Sequence, residues 1–305
     1  MQLPKSNYVY FAAICYSFII GLSFLFVKLT LTVTEPVHVL AHRFTISFLI
    51  ASIPIMMGWF KLQITLKDLL RLLPLSMFYP TLFFIFQTFG LSYTSSSEAG
   101  IIQATVPVFT ALFAAFFLKE ASTRIQKLSL LLSVSGVIFI FIMDGSDFHS
   151  AGFAGNLLIL LSALAFAGYA VLARKYTKEY SVLDLTYIMT VISFVCFNMM
   201  SFLTHTIDGT LISHFEPFFS PIFVISILYL GGLSSLVSSL LSNYTLSKLE
   251  ASKMSVFTNL STLITILAGV MFLEETLHYY HIIGAILIIL GIVGTNFPKK
   301  TPKPS

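Results

Sequence analysis

The sequence predicts an all-α membrane protein: ten transmembrane helices arranged as two inverted five-helix repeats. Three observations predict it. The chain is too poor in charge to face water, its apolar residues fall into ten runs of bilayer length, and its second half repeats the first in the opposite orientation. Of 305 residues, 57% are hydrophobic and 10% are charged, and mean hydropathy is +0.92. A soluble domain carries roughly 25% charged residues, so most of this surface must be solvated by lipid. The net charge of +4 does not point to nucleic acid, because the basic residues stand singly between apolar blocks and form no patch.

A membrane-crossing helix needs about 20 mostly apolar residues. The first run, residues 8–27, follows Lys5 as a signal peptide would. It is longer than a typical h-region and ends at Lys28 without a small-residue cleavage site, so it reads as a retained span. The second run, 36–59, opens on Pro36 and contains Arg43. The third, 69–91, contains Pro80; the fourth, 99–118, opens behind Glu98 and contains Pro107; the fifth is 128–143. Runs 152–173, 183–203, 221–243, 255–273 and 282–297 follow. The longest connection, 204–220, holds Asp208, Gly209, His214 and Glu216, and the tail from Pro298 is basic and proline-containing. This divides the chain into repeats 1–148 and 149–298 and a tail 299–305.

The basic residues test this order. With the N-terminus in the cytoplasm, the inside segments hold Lys5; Lys61, Lys67 and Arg71; Lys119, Arg124 and Lys127; Arg174, Lys175 and Lys178; Lys248 and Lys253; and Lys299, Lys300 and Lys303. Only Lys28 and Arg43 fall elsewhere. Positive residues accumulate in cytoplasmic loops, and one missed span would scramble this alternation. The expectation is a multi-pass plasma-membrane protein with both termini cytoplasmic. Its partners would be the lipid bilayer and a small solute, with no nucleic acid, as a monomer or homodimer.

A shift of 155 lays residues 91–142 on 246–297 without a gap. The matches include Leu91/Leu246, Leu118/Leu273, Glu120/Glu275 and Gly136/Gly291. At a shift of 147, Gly21 and Lys28 meet Gly168 and Lys175. An odd number of helices per repeat forces the second copy to enter from the other side. Two such halves have two near-equivalent packings, the usual construction of secondary transporters.

At these residues the chain resembles the EamA family of the drug/metabolite transporter superfamily, over essentially its whole length. The family pattern puts a proline in the fourth helix of each half, an acid at its end and a glycine in the fifth. Here Glu98-Ala99, Pro107, Leu118-Lys119-Glu120 and Gly136 carry it in the first half, and Leu273-Glu274-Glu275 and Gly291 in the second. Arg43 looks like the family's helix-2 arginine. Thr262 stands where the second proline is expected, so that helix departs from the family pattern at the position of the kink. The resemblance implies a transporter of a small metabolite such as an amino acid, working by alternating access around a central cavity, with export the usual direction. It implies no catalysis and no cofactor. An intramembrane lipid-modifying enzyme would need at least two deep ionisable groups, and the sequence offers one. A receptor or scaffold would be supported by a soluble sensory domain, and none is visible. No P-loop, GxSxG, HExxH or dinucleotide fingerprint occurs.

Arg43 is the one basic residue well inside a span. An arginine at a helix centre costs about 2.5–3.5 kcal/mol to insert. It could attract a substrate carboxylate, or it could snorkel or cap a neighbouring helix. The cavity candidates among polar residues are Tyr16, Tyr79, Gln87, Gln103, Tyr169, Tyr229 and Asn259, with Asn198 a further polar residue in the seventh run. Each could equally hold helices together through a hydrogen bond worth about 0.6 kcal/mol. Glu98, Asp184 and Glu250 all stand at helix starts, where capping is the ordinary role of a carboxylate. Glu98 is the one coupling candidate. The seven histidines (His38, His42, His149, His205, His214, His278 and His281) fall on the outer side, with Glu274, Glu275, His278 and His281 together. A metal site or a pH sensor is one reading of them. The other is polar interface residues in loops that exclude lysine, and the expected site set contains no metal ligand. Cys15 and Cys196 lie in apolar runs with no pairing or ligand spacing.

Overall fold

A computed structural model describes residues 5–59, 61–117, 124–143 and 151–295, and every regular element among them is helical. Helix α1 spans Lys5–Leu31 and α2 Pro36–Met56. Helices α3 (Leu66–Ser76) and α4 (Phe83–Leu91) flank a π-helical stretch, Met77–Leu82. Next come α5 (Ser96–Gln103), α6 (Val106–Phe117) and α7 (Arg124–Met143). The second half begins with α8 (Ala151–Tyr176) and α9 (Val182–Asp208). Helices α10 (Pro221–Leu228) and α11 (Ser238–Lys248) flank a second π-helical stretch, Tyr229–Val237, before α12 (Ala251–Phe272) and α13 (Tyr279–Thr295).

Seven spans are long and apolar enough to cross a membrane: Tyr8–Leu31, Pro36–Met56, Lys67–Leu91, Ser96–Phe117, Ala151–Tyr176, Val182–Asp208 and Pro221–Lys248. Val134–Met143, Phe257–Phe272 and Tyr279–Gly291 are shorter apolar helices. Among the described residues each of the ten apolar runs falls mainly on helix, but length and composition by themselves carry seven crossings. The expected helix end at Leu118–Glu120, His149, and the tail from Pro298 lie outside the described residues.

The breaks have local causes. Pro80 removes a backbone donor and pushes the residue before it towards extended geometry. Tyr79 accordingly has φ −147° and ψ 128°, inside the first π-helical stretch. Pro107 stands in the first turn of α6, where a missing N–H costs nothing, and the chain reaches it through a turn at Ala104-Thr105. Where Thr262 replaces the second proline, α12 runs unbroken. Its Oγ1 instead donates to the Gly100 carbonyl of α5 (3.0 Å) and to its own Thr258 carbonyl (3.2 Å).

The connection 204–220 is more ordered than the sequence suggests. Helix α9 continues past His205 to Asp208 and stops at Gly209, whose φ of +69° supplies a left-handed cap. Residues Leu211–Phe219 then form a 3₁₀ helix. Hydropathy ends a span where polar residues begin, whereas the backbone cap ends the helix.

Helix α1 packs on α12, α8 on α4, α5 and α6, α2 on α9, and α7 on α13. Between them lies a core whose largest fully buried side chains include Arg43, Tyr16, Tyr79, Tyr169, Phe44, Phe84, Phe166 and Phe197. The outer surface carries exposed Phe11, Phe18, Leu49, Ile53, Leu203 and Ile225, as a lipid-facing surface requires.

Candidate functional site

Arg43 is fully buried on α2. Its Nε donates to Ser235 Oγ (2.6 Å) and its Nη2 to Ser234 Oγ (2.7 Å). The guanidinium lies 3.8 Å above the centre of the Phe84 ring, a cation–π contact. Nη1 is buried without a partner. Among the described residues no carboxylate pairs with Arg43, so its charge is met only by two hydroxyls and a ring. Close approach of α2 to the second π-helical stretch makes this possible: a Cβ on Gly231 would stand 2.7 Å from the Arg43 carbonyl oxygen.

The tyrosines continue from this point. The Tyr79 ring lies 5.4 Å from Phe84 and 4.6 Å from Tyr169, and Tyr16 stacks on Phe166 at 6.3 Å. Phe166 also touches Tyr79 and Tyr169. Their hydroxyls end on a ladder that hydropathy alone hides. Ser234, Ser235, Ser238, Ser239, Ser242 and Asn243 are all buried along the second π-helical stretch and α11. Tyr79 Oη lies 3.4 Å from Ser238 Oγ. Tyr169 Oη donates to Ser242 Oγ (3.1 Å) and Asn243 Oδ1 (2.9 Å). The signal was present in the sequence: serines spaced by four share a helix face.

A small cavity of about 20 Å³ adjoins these rings, lined among others by Tyr16, Phe83, Gln103, Phe166 and Thr262. It has room for one water molecule. Gln103 Nε2 donates to Ser162 Oγ. The structure thus brings Tyr16, Arg43, Tyr79, Gln103 and Tyr169 into one connected region. Tyr229 stands at its edge, half-buried, with its ring stacked on Phe26 (4.1 Å) and its hydroxyl donating to the Ile19 carbonyl (2.9 Å). Gln87 is fully buried and neither amide atom has a partner. Asn259 is half-buried on α12 beside Thr258 of the cavity wall, with Oδ1 unpartnered. Asn198 is used locally, donating to the Phe194 carbonyl (2.9 Å) and accepting from Thr45 (3.1 Å).

Two of the three acids at helix starts, Glu98 and Asp184, bond at the cap, and the third does not. Glu98 closes a capping box with Ser95 and accepts from Thr94 Oγ1 (2.9 Å), while its other oxygen lies 3.2 Å from His281 Nε2. Asp184 accepts from the Ser181 hydroxyl at the start of α9 (2.8 Å). Glu250 occupies the N-cap of α12 but makes no side-chain cap bond. Glu275 was expected as a helix-end acid and as a member of the group with Glu274, His278 and His281. Its carboxylate accepts from the backbone N–H groups of Ser96 (2.7 Å) and Ser97 (2.8 Å) and from the Ser97 hydroxyl (2.6 Å). Opposite it, Lys28 Nζ donates to the carbonyls of Leu91 (2.9 Å) and Thr94 (2.8 Å) at the end of α4. This explains the lysine that broke the charge pattern: it caps orphan carbonyls. Arg174 Nη1 does the same to Leu246 (2.8 Å).

Comparison with known proteins gives this region its context. Residues 7–142 and 153–297 both match the EamA-like transporter family. A Bacillus subtilis (strain 168) protein named uncharacterized transporter YcxC is 56% identical over 297 residues, covering 97% of this chain and 95% of that one. An Archaeoglobus fulgidus protein named uncharacterized transporter is 27% identical over 277 residues, covering 89% and 92%. A protein of known crystal structure superposes with a TM-score of 0.64 at 16% identity, covering 95% and 96% of the two chains, so the fold is shared. With its membrane-spanning apolar helices and these matches over nearly its full length, the chain belongs to the EamA-like transporter family and is a multi-pass membrane protein.

Proposed function

We propose that this protein is a secondary transporter of the plasma membrane. It exports a small metabolite bearing a carboxylate, an amino acid or a related compound, by alternating access between two inverted five-helix halves. The observation that carries this reading is Arg43: a fully buried guanidinium with no acidic partner among the described residues and one nitrogen left unpaired. A buried charge without a counter-ion is costly, and a substrate carboxylate would complete it. The neighbouring rings of Phe84, Tyr79, Tyr169 and Phe166 would take the apolar part of the solute.

Pseudo-symmetric features support the two-half architecture of ten crossings. The family matches the two halves separately. The π-helical breaks fall in corresponding helices, Met77–Leu82 and Tyr229–Val237. Lys28 caps Leu91 and Arg174 caps Leu246, and these two leucines coincide at the 155-residue shift. The cavity of about 20 Å³ is too small for an amino acid, as expected of a closed state between two open ones. The gathering of Arg71, Arg174, Lys248 and Lys253 at loops of one end favours cytoplasmic termini. Export follows the family pattern.

The test is flux in proteoliposomes holding purified protein, with labelled aromatic and aliphatic amino acids, nucleosides and quaternary amines. We expect amino acids to move and their carboxamide analogues to fail. Absence of flux from either side with correctly folded protein, or equal movement of the carboxamides, would overturn the reading. An imposed pH gradient in the same assay, applied to the parent and to Glu98→Gln, reports on coupling at Glu98.

A further inference from the structure

A second cluster stands apart from the aromatic core. His38 on α2, His205 on α9 and His214 on the 3₁₀ helix each direct a ring nitrogen so that the three atoms lie within 4.8 Å of one another. We infer that His38, His205 and His214 form a binding site for one divalent transition-metal ion of the zinc, cobalt or nickel type.

Two of the rings are already held at one nitrogen. His38 Nδ1 is engaged by Ser201 Oγ (2.8 Å) and His205 Nδ1 by Thr210 Oγ1 (2.9 Å). Occupying Nδ1 of a histidine fixes its orientation and leaves Nε2 as the ligand atom, the ordinary outer-shell arrangement of metal-binding histidines. His205 Nε2 is buried with no hydrogen-bond partner, on a residue 5% exposed, so the fold holds an unsatisfied nitrogen facing the cluster. The His38 and His205 rings stack at 3.9 Å. Three imidazole ligands about 2.0–2.1 Å from a tetrahedral ion stand roughly 3.3 Å apart. The present separations, all within 4.8 Å, are longer than that, so binding an ion requires the His38 and His205 rings to turn out of their stacked arrangement.

The surroundings suit a cation. The three histidines open into a recess of about 400 Å³ also lined by Glu35, Asp208 and Glu216. These carboxylates add negative potential to the recess, which favours a bound cation and its water. Three nitrogen donors select a borderline transition ion over magnesium or calcium, which prefer oxygen. The three ligands come from three elements, so the ion would tie the 3₁₀ helix Leu211–Phe219 to the ends of α2 and α9. The inference rests on this geometry and is independent of the transport reading.

The test is isothermal titration of tag-free, chelator-washed protein in detergent with Zn²⁺. One Zn²⁺ per chain is expected, with binding weakened at least about tenfold in His205→Ala and in His214→Ala. His278→Ala should bind as the parent does, because His278 belongs to the separate group beside His281 and Glu98. No Zn²⁺ uptake by the parent protein, or full retention after His38, His205 and His214 are all replaced, would overturn the site. Should the variants fail to fold, Co²⁺ added to the parent protein decides. Intense visible bands of four-coordinate, nitrogen-ligated cobalt support the site, and the pale spectrum of hydrated cobalt overturns it.

Discussion

At Arg43 the energetics and the proposed role pull in opposite directions. Two hydrogen bonds to serines are worth about 1 kcal/mol each, and a desolvated cation–π contact about 2 kcal/mol. Against them stands a central-arginine cost of about 2.5–3.5 kcal/mol. A residue kept for the scaffold would be missed when lost. These opposing terms nearly cancel, so Arg43→Met is expected to change the detergent melting temperature little while lowering flux at least tenfold. Unfolding of that variant would assign Arg43 to the scaffold. Glu275 is the contrasting case. Its carboxylate accepts two backbone N–H bonds at the start of α5, and charged-group hydrogen bonds are worth about 1.5–3 kcal/mol. Glu275→Gln keeps one acceptor and loses the charge, so a loss of about 1–2 kcal/mol is expected in thermal melts. Glu250→Gln should fall within about 0.5 kcal/mol of the parent, since that exposed residue makes no cap bond. The capping roles of Glu98 and Asp184 were legible in the sequence because their partners Ser95 and Ser181 lie three residues away. The roles of Lys28 and Glu275 were not, because their partners lie 63 and 179 residues away along the chain.

Helices were legible wherever hydropathy decides them, and less so where backbone chemistry does. The apolar runs located every long helix, yet the end of α9 depended on Gly209 and the 3₁₀ helix on a segment that reads as loop. Thr262 shows what one departure does. With no proline, α12 keeps its hydrogen-bond ladder and adds a bond to Gly100. Thr262→Pro is expected to cost about 3 kcal/mol or more, while Thr262→Val should cost about 0.6 kcal/mol. Both values can be read from denaturation in detergent, and equal losses would mean that the hydroxyl rather than the straight helix matters. The pairing of α7 with α13 rests on closer contact. A Cβ on Gly136 would lie 2.8 Å from the Gly284 carbonyl oxygen, nearer than any real Cβ approaches backbone. Gly136→Ala must push the helices apart, at about 1–3 kcal/mol. The melting temperature should fall, and a cysteine at Ile288, buried against this interface, should become reactive to thiol reagents.

For the whole molecule, the question is whether the halves exchange two packings. The interface between them is polar at both ends and aromatic in the middle. At the histidine-bearing end, Thr94 Oγ1 donates to Asn156 Oδ1 (2.6 Å). At the other end, Arg71 pairs with Glu179 (2.6 Å) and Tyr180 donates to Asp68 (2.8 Å). The exposed Arg71–Glu179 ion pair is worth little, and a neutral hydrogen bond such as Thr94–Asn156 about 1 kcal/mol, so these polar contacts alone hold neither end tightly closed. The buried ring cluster lies between these two ends. Alternating access then requires each end to open in turn, and closing either one must stop net transport. In a background without Cys15 and Cys196, Thr94→Cys with Asn156→Cys should form a disulfide that blocks flux until it is reduced. Arg71→Cys with Glu179→Cys, bridged by a short bis-maleimide, should block it as well. Substrate should still bind to each locked form from its open side, because Arg43 and the tyrosines belong to neither end. Undiminished flux with either lock fully formed would mean that the solute does not pass between the halves. In that case Arg43 would have to be explained without alternating access.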